Sequence, residues 1–183
     1  MRIEKNHAHA YTRYRLLSWK DYFLLLRSVI ECKIGRYKSL TVHLPYEIQH
    51  NQVKNIVKAR KYIFFGEFLK KIFRINFYWE NAPWLNNGSW TLKFGNTNWS
   101  KIPNNIDICL DTGHLMLGCK TSKHFKDLLN KVLSIRGKQV KHLHLHENNF
   151  VSDQHILVPG RVITKSLFKY LIKGKSYIVE KGE

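Results

Sequence analysis

The most constraining feature of this sequence is a regular alternation of short, β-branched apolar segments with longer amphipathic ones. The short segments are typical of buried strands, and the longer ones of helices that begin at a capping residue. The predicted strands are one that starts at Leu40 and ends at His43, followed by Phe73–Glu80, Asp107–Asp111, Val140–His146 and Ser176–Glu180. The predicted helices run from the Ser18 cap to Ile30, then Ile48–Arg60, Ser122–Ile135 and Lys165–Ile172.

This alternation implies parallel strands joined by helical crossovers. Each predicted strand also finishes with an acidic residue or a histidine: His43, Glu80, Asp111, His144 and Glu180. The carboxyl ends of the strands converge on one face of a (β/α) barrel. A doubly wound open sheet spreads them along a line and usually carries a glycine-rich phosphate loop, which this sequence lacks. The pattern therefore predicts an α/β fold of the TIM-barrel type, as a single domain over residues 1–183.

Composition narrows the class of protein and its compartment. No uncharged apolar stretch approaches the roughly 20 residues of a membrane helix, and the first residues do not resemble a signal peptide. The three cysteines (Cys32, Cys109 and Cys119) are an odd and widely spaced set without a CxxC pair, which argues against a zinc ribbon or a thioredoxin-type site. A reducing cytoplasm is the simplest compartment for such a set. The net charge of +18 would suit a polyanion such as DNA, but lysines scattered over a solvated surface explain it without such a partner, and this second interpretation is preferred.

A second set of residues strengthens the expectation of a metal site. Asp111 and His114 form an Asp-x-x-His pair, and Asp153 and His155 form an Asp-x-His pair. Imidazoles at 142, 144 and 146 alternate along one strand and so point to one face, as metal donors or as a polar lining. Carboxylates mixed with imidazoles bind zinc, manganese or cobalt. The remaining histidines have no such placement and are predicted to lie on the surface: His7, His9, His50 and His124.

Six segments in fixed order resemble the xylose isomerase-like TIM barrel superfamily, which includes sugar (phosphate) isomerases and epimerases and the endonuclease IV-type nucleases. The segments are Val-His43-Leu-Pro-Tyr, Trp-Glu80-Asn-Ala-Pro, Leu-Asp111-Thr-Gly-His114, His142-Leu-His144-Leu-His146-Glu147, Ser-Asp153-Gln-His155 before Pro-Gly160, and Ile-Val-Glu180. The resemblance implies a divalent metal (manganese, zinc or cobalt) held by Glu80, Asp111, His144 and Glu180. Because His-Leu-His-Glu147 resembles the family's His-x-x-Asp/Glu pattern, His144 is preferred to His146 as the ligand.

The resemblance implies two activities. In epimerase-like members, Glu80 and Glu180 would also act as opposed acid and base on a sugar or sugar phosphate, through an enediolate held by the metal, and His114 would contact the substrate. In nuclease-like members, which cleave DNA at apurinic sites, His114, Asp153 and His155 match a further zinc site, and His43 matches a ligand of another. We expect the isomerase or epimerase activity, with the nuclease and a degenerate non-catalytic barrel as alternatives.

The sequence also departs from the family pattern. Only 37 residues separate His43 from Glu80, which is room for one βα unit where the family places two. The histidine that the nucleases carry on the intervening strand has no evident counterpart, and the first strand is not evident either. We therefore expect a barrel that is shortened or incomplete relative to eight strands, or one that closes by forming a homo-oligomer.

Overall fold

The computed structural model describes residues 2–4, 7–10, 18–45, 56–81, 99–117 and 119–180. Its seven strands form one sheet in chain order. They are β1 (Arg2–Glu4), β2 (His7–His9), β3 (Ser39–His43), β4 (Asn76–Glu80), β5 (Ile108–Asp111), β6 (Val140–Leu145) and β7 (Ser176–Val179). The first pair is antiparallel, and every later neighbour is parallel. The six parallel strands curl into a half-barrel, which confirms the expected incomplete TIM-type fold.

Helices connect the parallel strands. They are α1 (Trp19–Ile34), α2 (Ile56–Phe73), α3 (Thr112–Met116), α4 (Ser122–Arg136) and α5 (Lys165–Ile172), with a short 3-10 helix at Trp99–Lys101. Ser18 begins α1 as predicted, and its backbone N–H and hydroxyl both donate to the Asp21 carboxylate at 2.7 Å. The helix predicted over 48–60 is observed from residue 56 and continues to 73, whereas its first part and His50 lie outside the described residues.

The two faces of the sheet have different chemistry. The face covered by helices carries the apolar core, with buried side chains such as Leu40, Phe77, Trp79, Leu110 and Leu143. Gly66 lets α2 approach this face closely, because a Cβ there would lie 2.6 Å from the Trp79 ring. The opposite face carries histidines, carboxylates and hydroxyls, whereas the interior of a TIM barrel is usually filled by branched apolar residues. This polar face is therefore the candidate location of a functional site.

Two strands were not expected from the sequence. The antiparallel hairpin of β1 and β2 precedes α1, and β2 pairs in parallel with β3, joining His7 to Ser39 and His9 to Thr41 in register. Both strands are only three residues long, which is too short for an alternating pattern to be read. No described helix is long and apolar enough to cross a membrane.

Candidate metal centre

The four residues predicted as metal ligands come from four elements of the half-barrel. Glu80 ends β4, Asp111 ends β5, His144 lies on β6, and Glu180 directly follows β7. The parallel register pairs Asp111 with His144, so their side chains project from adjacent strands toward the same face. All four side chains are buried, none being more than 3% exposed.

These side chains meet at one nitrogen of His144. Its Nδ1 atom lies 3.1 Å from Oε1 of Glu80, 3.2 Å from Oε1 of Glu180 and 3.8 Å from Oδ2 of Asp111. Its Nε2 atom faces the other way, 3.3 Å from Nε2 of His7. The structure thus brings the predicted four-residue set together, while its role as a ligand set stays a prediction.

The prediction that His7 and His9 lie on the surface is wrong. Strand β2 places both imidazoles on the polar face of the sheet, and His7 is only 2% exposed. Nδ1 of His9 lies 3.9 Å from Oε2 of Glu80, and its Nε2 lies 3.7 Å from Oε1 of Glu180. The signal that could have revealed them is the His-x-His repeat, the same alternation as in β6. His124, by contrast, is exposed at the start of α4, as predicted.

The residues predicted for a second metal or for substrate contact lie beside the first set. Nε2 of His43 is 3.5 Å from Oε2 of Glu80. Oδ2 of Asp153 lies 3.4 Å from Nε2 of His114 and 3.3 Å from Nε2 of His155. The other nitrogen of His155, Nδ1, is 3.0 Å from Oε2 of Glu180. The two groups of residues are therefore one continuous site.

His146 is as well placed for a metal as His144. Its Nε2 atom is 3.0 Å from Oδ1 of Asp111, which is closer than Nδ1 of His144 comes to the same carboxylate. Its ring stacks on that of His155, with centroids 4.1 Å apart. Gly113, on the first turn of α3, makes this position available, because a Cβ there would overlap the His146 ring.

Several residues that sequence reasoning missed hold the ligand atoms in place. The Asn81 side chain donates to the carbonyl of Asp111 at 3.0 Å and accepts from its N–H at 2.9 Å. The Asp111 carboxylate accepts from the His114 N–H at 2.7 Å and so caps α3. The Thr112 hydroxyl donates to the carbonyl of His146 at 2.9 Å. Asn81 adjoins Glu80 in the quoted Trp-Glu-Asn-Ala-Pro segment, so its position was a usable signal.

Glu147, which belongs to the pattern that favoured His144, holds a loop beside the site. Its carboxylate points away from the metal ligands and accepts N–H groups from the loop at 161–163, at distances from 2.5 to 3.1 Å. Gly160 lies against it, since a Cβ there would be 2.6 Å from Oε2 of Glu147. The Asn148 side chain accepts the N–H groups of Gln154 and His155. Together these contacts fix the loop that presents Asp153 and His155.

Burial and the neighbouring charges shift the pKa values in opposite directions. Burial, Asp111 and Glu180 raise the pKa of Glu80 well above its ordinary value. Burial alone would lower the pKa of His114, but Asp111 and Asp153 outweigh it and raise that pKa to about 9. Hydrogen bonds to Asp153 and Glu180 raise the pKa of His155 to about 10. Without a metal, protonated imidazoles therefore compensate the carboxylates.

Imidazoles deeper in the half-barrel stay neutral. Burial, with His142 and His9, lowers the pKa of His7 to about 2. Burial and His9 lower that of His142 to about 4, although Glu180 acts in the other direction. Burial and the surrounding histidines also lower the pKa of His144 well below its usual value. At neutral pH these rings offer lone pairs rather than charges.

The donor set fits a divalent transition metal. Several groups of three side chains place one donor atom each within 4.8 Å of the others: His9, His144 and Glu180; His43, Glu80 and His114; Asp111, His114 and His146; and His146, His155 and Glu180. Two buried donor atoms at this site, Oε2 of Glu80 and Nδ1 of His146, also make no hydrogen bond. Mixed nitrogen and oxygen donors suit zinc, manganese or cobalt. The overlapping groups provide donors for more than one ion.

No family profile matches the sequence, and no curated protein matches it. Solved structures, however, match the fold. A D-tagatose 3-epimerase-like protein is 17% identical with a TM-score of 0.65, and the match covers 96% of this chain and 70% of that one. The TTHB071 protein from Thermus thermophilus, soaked with ZnCl2, is 14% identical with a TM-score of 0.63 and the same coverage.

A third solved structure, a xylose isomerase-like protein from Rhodospirillum rubrum, is 10% identical with a TM-score of 0.57. The match covers 90% of this chain and 60% of that protein. At these identities the likeness concerns the fold alone. This chain therefore shares its fold with these epimerase-like and isomerase-like proteins, as the resemblance of its motifs implied.

Proposed function

We propose that residues 1–183 form one barrel domain that catalyses a divalent-metal-dependent isomerisation or epimerisation of a sugar or sugar phosphate. The observation that carries this proposal is the approach of Glu80, Glu180 and Asp111 to Nδ1 of His144, at 3.1, 3.2 and 3.8 Å. This arrangement combines four metal donors with two glutamates that can also transfer protons. The fold shared with epimerase-like and isomerase-like proteins supports the same reaction class.

In this proposal, the ion is held by Glu80, Asp111, His144 and Glu180. When bound, it would polarise the carbonyl of the substrate and so acidify the adjacent C–H bond. Glu180 removes the proton from that carbon, and its carboxylate is oriented by Nδ1 of His155 at 3.0 Å. Glu80, the opposed glutamate, returns a proton to the sugar carbon. His114, beside both Glu80 and Asp111, is positioned to contact the substrate.

The test is hydrogen exchange at the carbon next to the carbonyl. The protein is incubated in D2O with ketoses, aldoses and sugar phosphates, in the presence of manganese, cobalt or zinc, and deuterium incorporation is followed by NMR. We expect Glu180→Gln to reduce exchange by about 10²- to 10⁴-fold, the usual contribution of a general base. Asp127→Asn, on the exposed face of α4, is the matched control. Full exchange by the Glu180→Gln variant would exclude Glu180 as the base.

A second candidate, zinc-dependent cleavage of DNA at apurinic sites, is favoured by one specific observation. The nuclease pattern places a histidine on a strand between His43 and Glu80, whereas here β3 pairs directly with β4. Strand β2, which precedes His43, instead places His9 within 3.9 Å of Glu80. Asp153, His114 and His155 offer donors for a further zinc ion. Two of the three named structural neighbours are isomerase-like or epimerase-like, so this candidate stands second.

Replacing Asp153 and His155 together by alanine separates the two candidates. A nuclease should lose cleavage of apurinic duplex DNA, because those residues would bind one of its zinc ions. An isomerase should keep its metal and lose only the part of its activity that depends on the orientation of Glu180. Apurinic-site cleavage that survives both substitutions would exclude a zinc site at Asp153 and His155.

The compartment belongs to the same proposal. Cys32, Cys109 and Cys119 are all buried and unpaired, as expected of thiols kept in a reducing environment. We therefore place the proposed enzyme in the cytoplasm, where sugars and sugar phosphates are available as substrates.

A further inference from the structure

A second layer of imidazoles lies beneath the carboxylates. His7 from β2 and His142 and His144 from β6 are each at most 3% exposed. One ring nitrogen of each lies within 4.8 Å of the other two, and the Nε2 atoms of His7 and His144 are 3.3 Å apart. The carboxylates of the site described above contact His144 at its other nitrogen, Nδ1. The three-imidazole cluster is thus on the opposite side of His144 from the proposed catalytic metal.

Hydrogen bonding leaves a buried lone pair in this cluster. Nδ1 of His142 lies 2.7 Å from the Ser176 hydroxyl oxygen, and that hydroxyl donates its proton to the Lys141 carbonyl at 3.2 Å. The hydroxyl therefore accepts from Nδ1, which must carry the ring proton of the neutral imidazole. Nε2 of His142 is then an acceptor, and it is buried without a hydrogen-bond partner. A buried lone pair without a partner is unfavourable unless a ligand takes it.

The rings are held in place without a metal. The His142 ring stacks on Tyr78, with centroids 4.9 Å apart and planes 7° apart, and on His7, at 4.8 Å and 22°. The two nitrogens of His7 contact hydroxyl groups, Nδ1 that of Ser39 at 2.5 Å and Nε2 that of Thr41 at 2.7 Å. The ring stacking and the Ser39 hydroxyl fix the direction of these rings. An ion bound at Nε2 of His7 would take the place of the Thr41 hydroxyl at that atom.

We propose that the Nε2 atoms of His7, His142 and His144 form a second metal site. The second site and the carboxylate site have only the His144 ring in common. Three imidazoles without a carboxylate favour zinc or copper over magnesium, calcium or manganese, which prefer oxygen donors. Filling both sites requires the neutral His144 ring to release its one N–H proton to solvent, so that an imidazolate bridges the two ions. Because the site uses the opposite nitrogen of His144, the inference does not rest on the proposed function.

The experiment uses the whole 183-residue chain, which is stripped with a chelator and then titrated with Cu²⁺ or Zn²⁺. Nitrogen hyperfine structure in the Cu²⁺ EPR spectrum counts the imidazoles bound to the ion, and elemental analysis after gel filtration gives the zinc bound per chain. We expect one population of copper with three nitrogen ligands. We also expect His142→Phe, which keeps an aromatic ring between Tyr78 and His7, to remove that population and one equivalent of zinc.

Two other variants are the controls. Glu180→Gln should keep the three-nitrogen signal, because it changes only the carboxylate side of His144. His124→Gln, at the exposed start of α4, should change neither measurement. Equal zinc stoichiometry and equal EPR spectra in wild-type protein and His142→Phe would overturn the proposal. If circular dichroism shows that His142→Phe does not fold, the EPR spectrum of the wild-type protein tests the proposal alone. The absence of a three-nitrogen copper signal from wild-type protein at two or more equivalents of Cu²⁺ would also overturn the proposal.

Discussion

Gly113 determines where the His146 ring can lie, because any side chain at this position would occupy the same space. The imidazole passes over the first turn of α3 to reach Asp111, with 3.0 Å between Nε2 and Oδ1. The need for glycine in the Leu-Asp111-Thr-Gly-His114 segment is therefore steric. Its φ angle is not among the positive ones, so an alanine is excluded by space rather than by backbone strain.

We expect Gly113→Ala to weaken metal binding at the carboxylate site by about 10- to 100-fold, the usual loss when the support of a ligand is disturbed. The added methyl group pushes the His146 ring away from Asp111 and His155. The measurement is calorimetric titration of metal-free protein with Zn²⁺ or Mn²⁺, beside a thermal melt to verify folding. Asn130→Ala, exposed on α4, is the control. Unchanged affinity in a folded Gly113→Ala variant would show that His146 does not affect the metal.

At the scale of elements, the carboxylate of Glu147 is one of the groups that hold the loop after β6. Oε1 of Glu147 accepts the N–H groups of Val162 and Ile163, and Oε2 accepts that of Arg161. These groups close the loop that carries Asp153 and His155. The carboxylate is buried, so water cannot replace it as the acceptor.

We expect Glu147→Gln to lower stability by about 1–3 kcal/mol, because the new amide group would face an N–H donor and leave it without an acceptor. For a chain of this size, each kcal/mol corresponds to a drop of about 2–4 °C in Tm. Glu31→Gln makes the same chemical change in an exposed ion pair with Arg27, where about 0–1 kcal/mol is expected. Equal melting temperatures for the two variants would show that Glu147 does not hold the loop.

The elements that could be predicted from the sequence are those whose pattern of apolar residues is long and fits one type of secondary structure. The four parallel strands β3 to β6, together with β7 and the helices between them, were recognisable because each apolar run is flanked by a turn or a cap. Each of these strands also places its terminal His, Glu or Asp at the site. β2 was missed because its three residues, His7–His9, contain no apolar periodicity. Only pairing with β3 makes this segment a strand, and pairing is a tertiary property that a local pattern does not encode.

The error at β2 had consequences for the site. With His7 and His9 placed on the surface, neither the three-imidazole cluster nor the histidine beside Glu80 could be predicted. The choice between His144 and His146 also rested on Glu147, whose carboxylate binds loop amides instead of pointing into the site. Alternation along β6 correctly put both rings on one face, but the distances of each to Asp111 depend on α3 and Gly113. Such distances are set by packing between elements.

For the molecule as a whole, the curl of the sheet completes the site although the described strands form only part of a barrel. β2 and β7 lie at opposite ends of the parallel series, yet His9 and Glu180 come within 3.7 Å of each other. Donors from all six parallel strands or the residues directly after them therefore face one space. This arrangement concentrates titratable groups in a buried volume, and their charges must be balanced by protons or by metal ions.

This balance predicts a pH optimum for the stability of the metal-free protein. In the folded protein the pKa values of His114 and His155 are raised to about 9 and about 10. The stability that these two residues contribute is therefore complete below about pH 6.5, the pKa of histidine in the unfolded chain, and is lost as the pH rises through 9 and 10. Burial is the largest cause of the lowered pKa values of His43, about 3, and of His142, about 4. These two shifts have the opposite effect on stability, which is lost as the pH falls below about 6.5.

Bound metal should reverse the alkaline part of this profile, because it replaces protons as the counter-charge and needs deprotonated ligands. We expect the Tm of chelator-treated protein to be highest near pH 6.5 and to fall toward pH 10. Zinc or manganese at about 100 times its Kd should add about 2.7 kcal/mol of stability, most clearly above pH 7. Thermal melts by circular dichroism from pH 5 to 10 measure both effects, and His155→Gln should flatten the alkaline slope of the metal-free protein. A metal-free Tm that stays constant from pH 6.5 to 10 would mean that the imidazolium–carboxylate pairs do not stabilise this site, and that its donors are held by the surrounding fold alone.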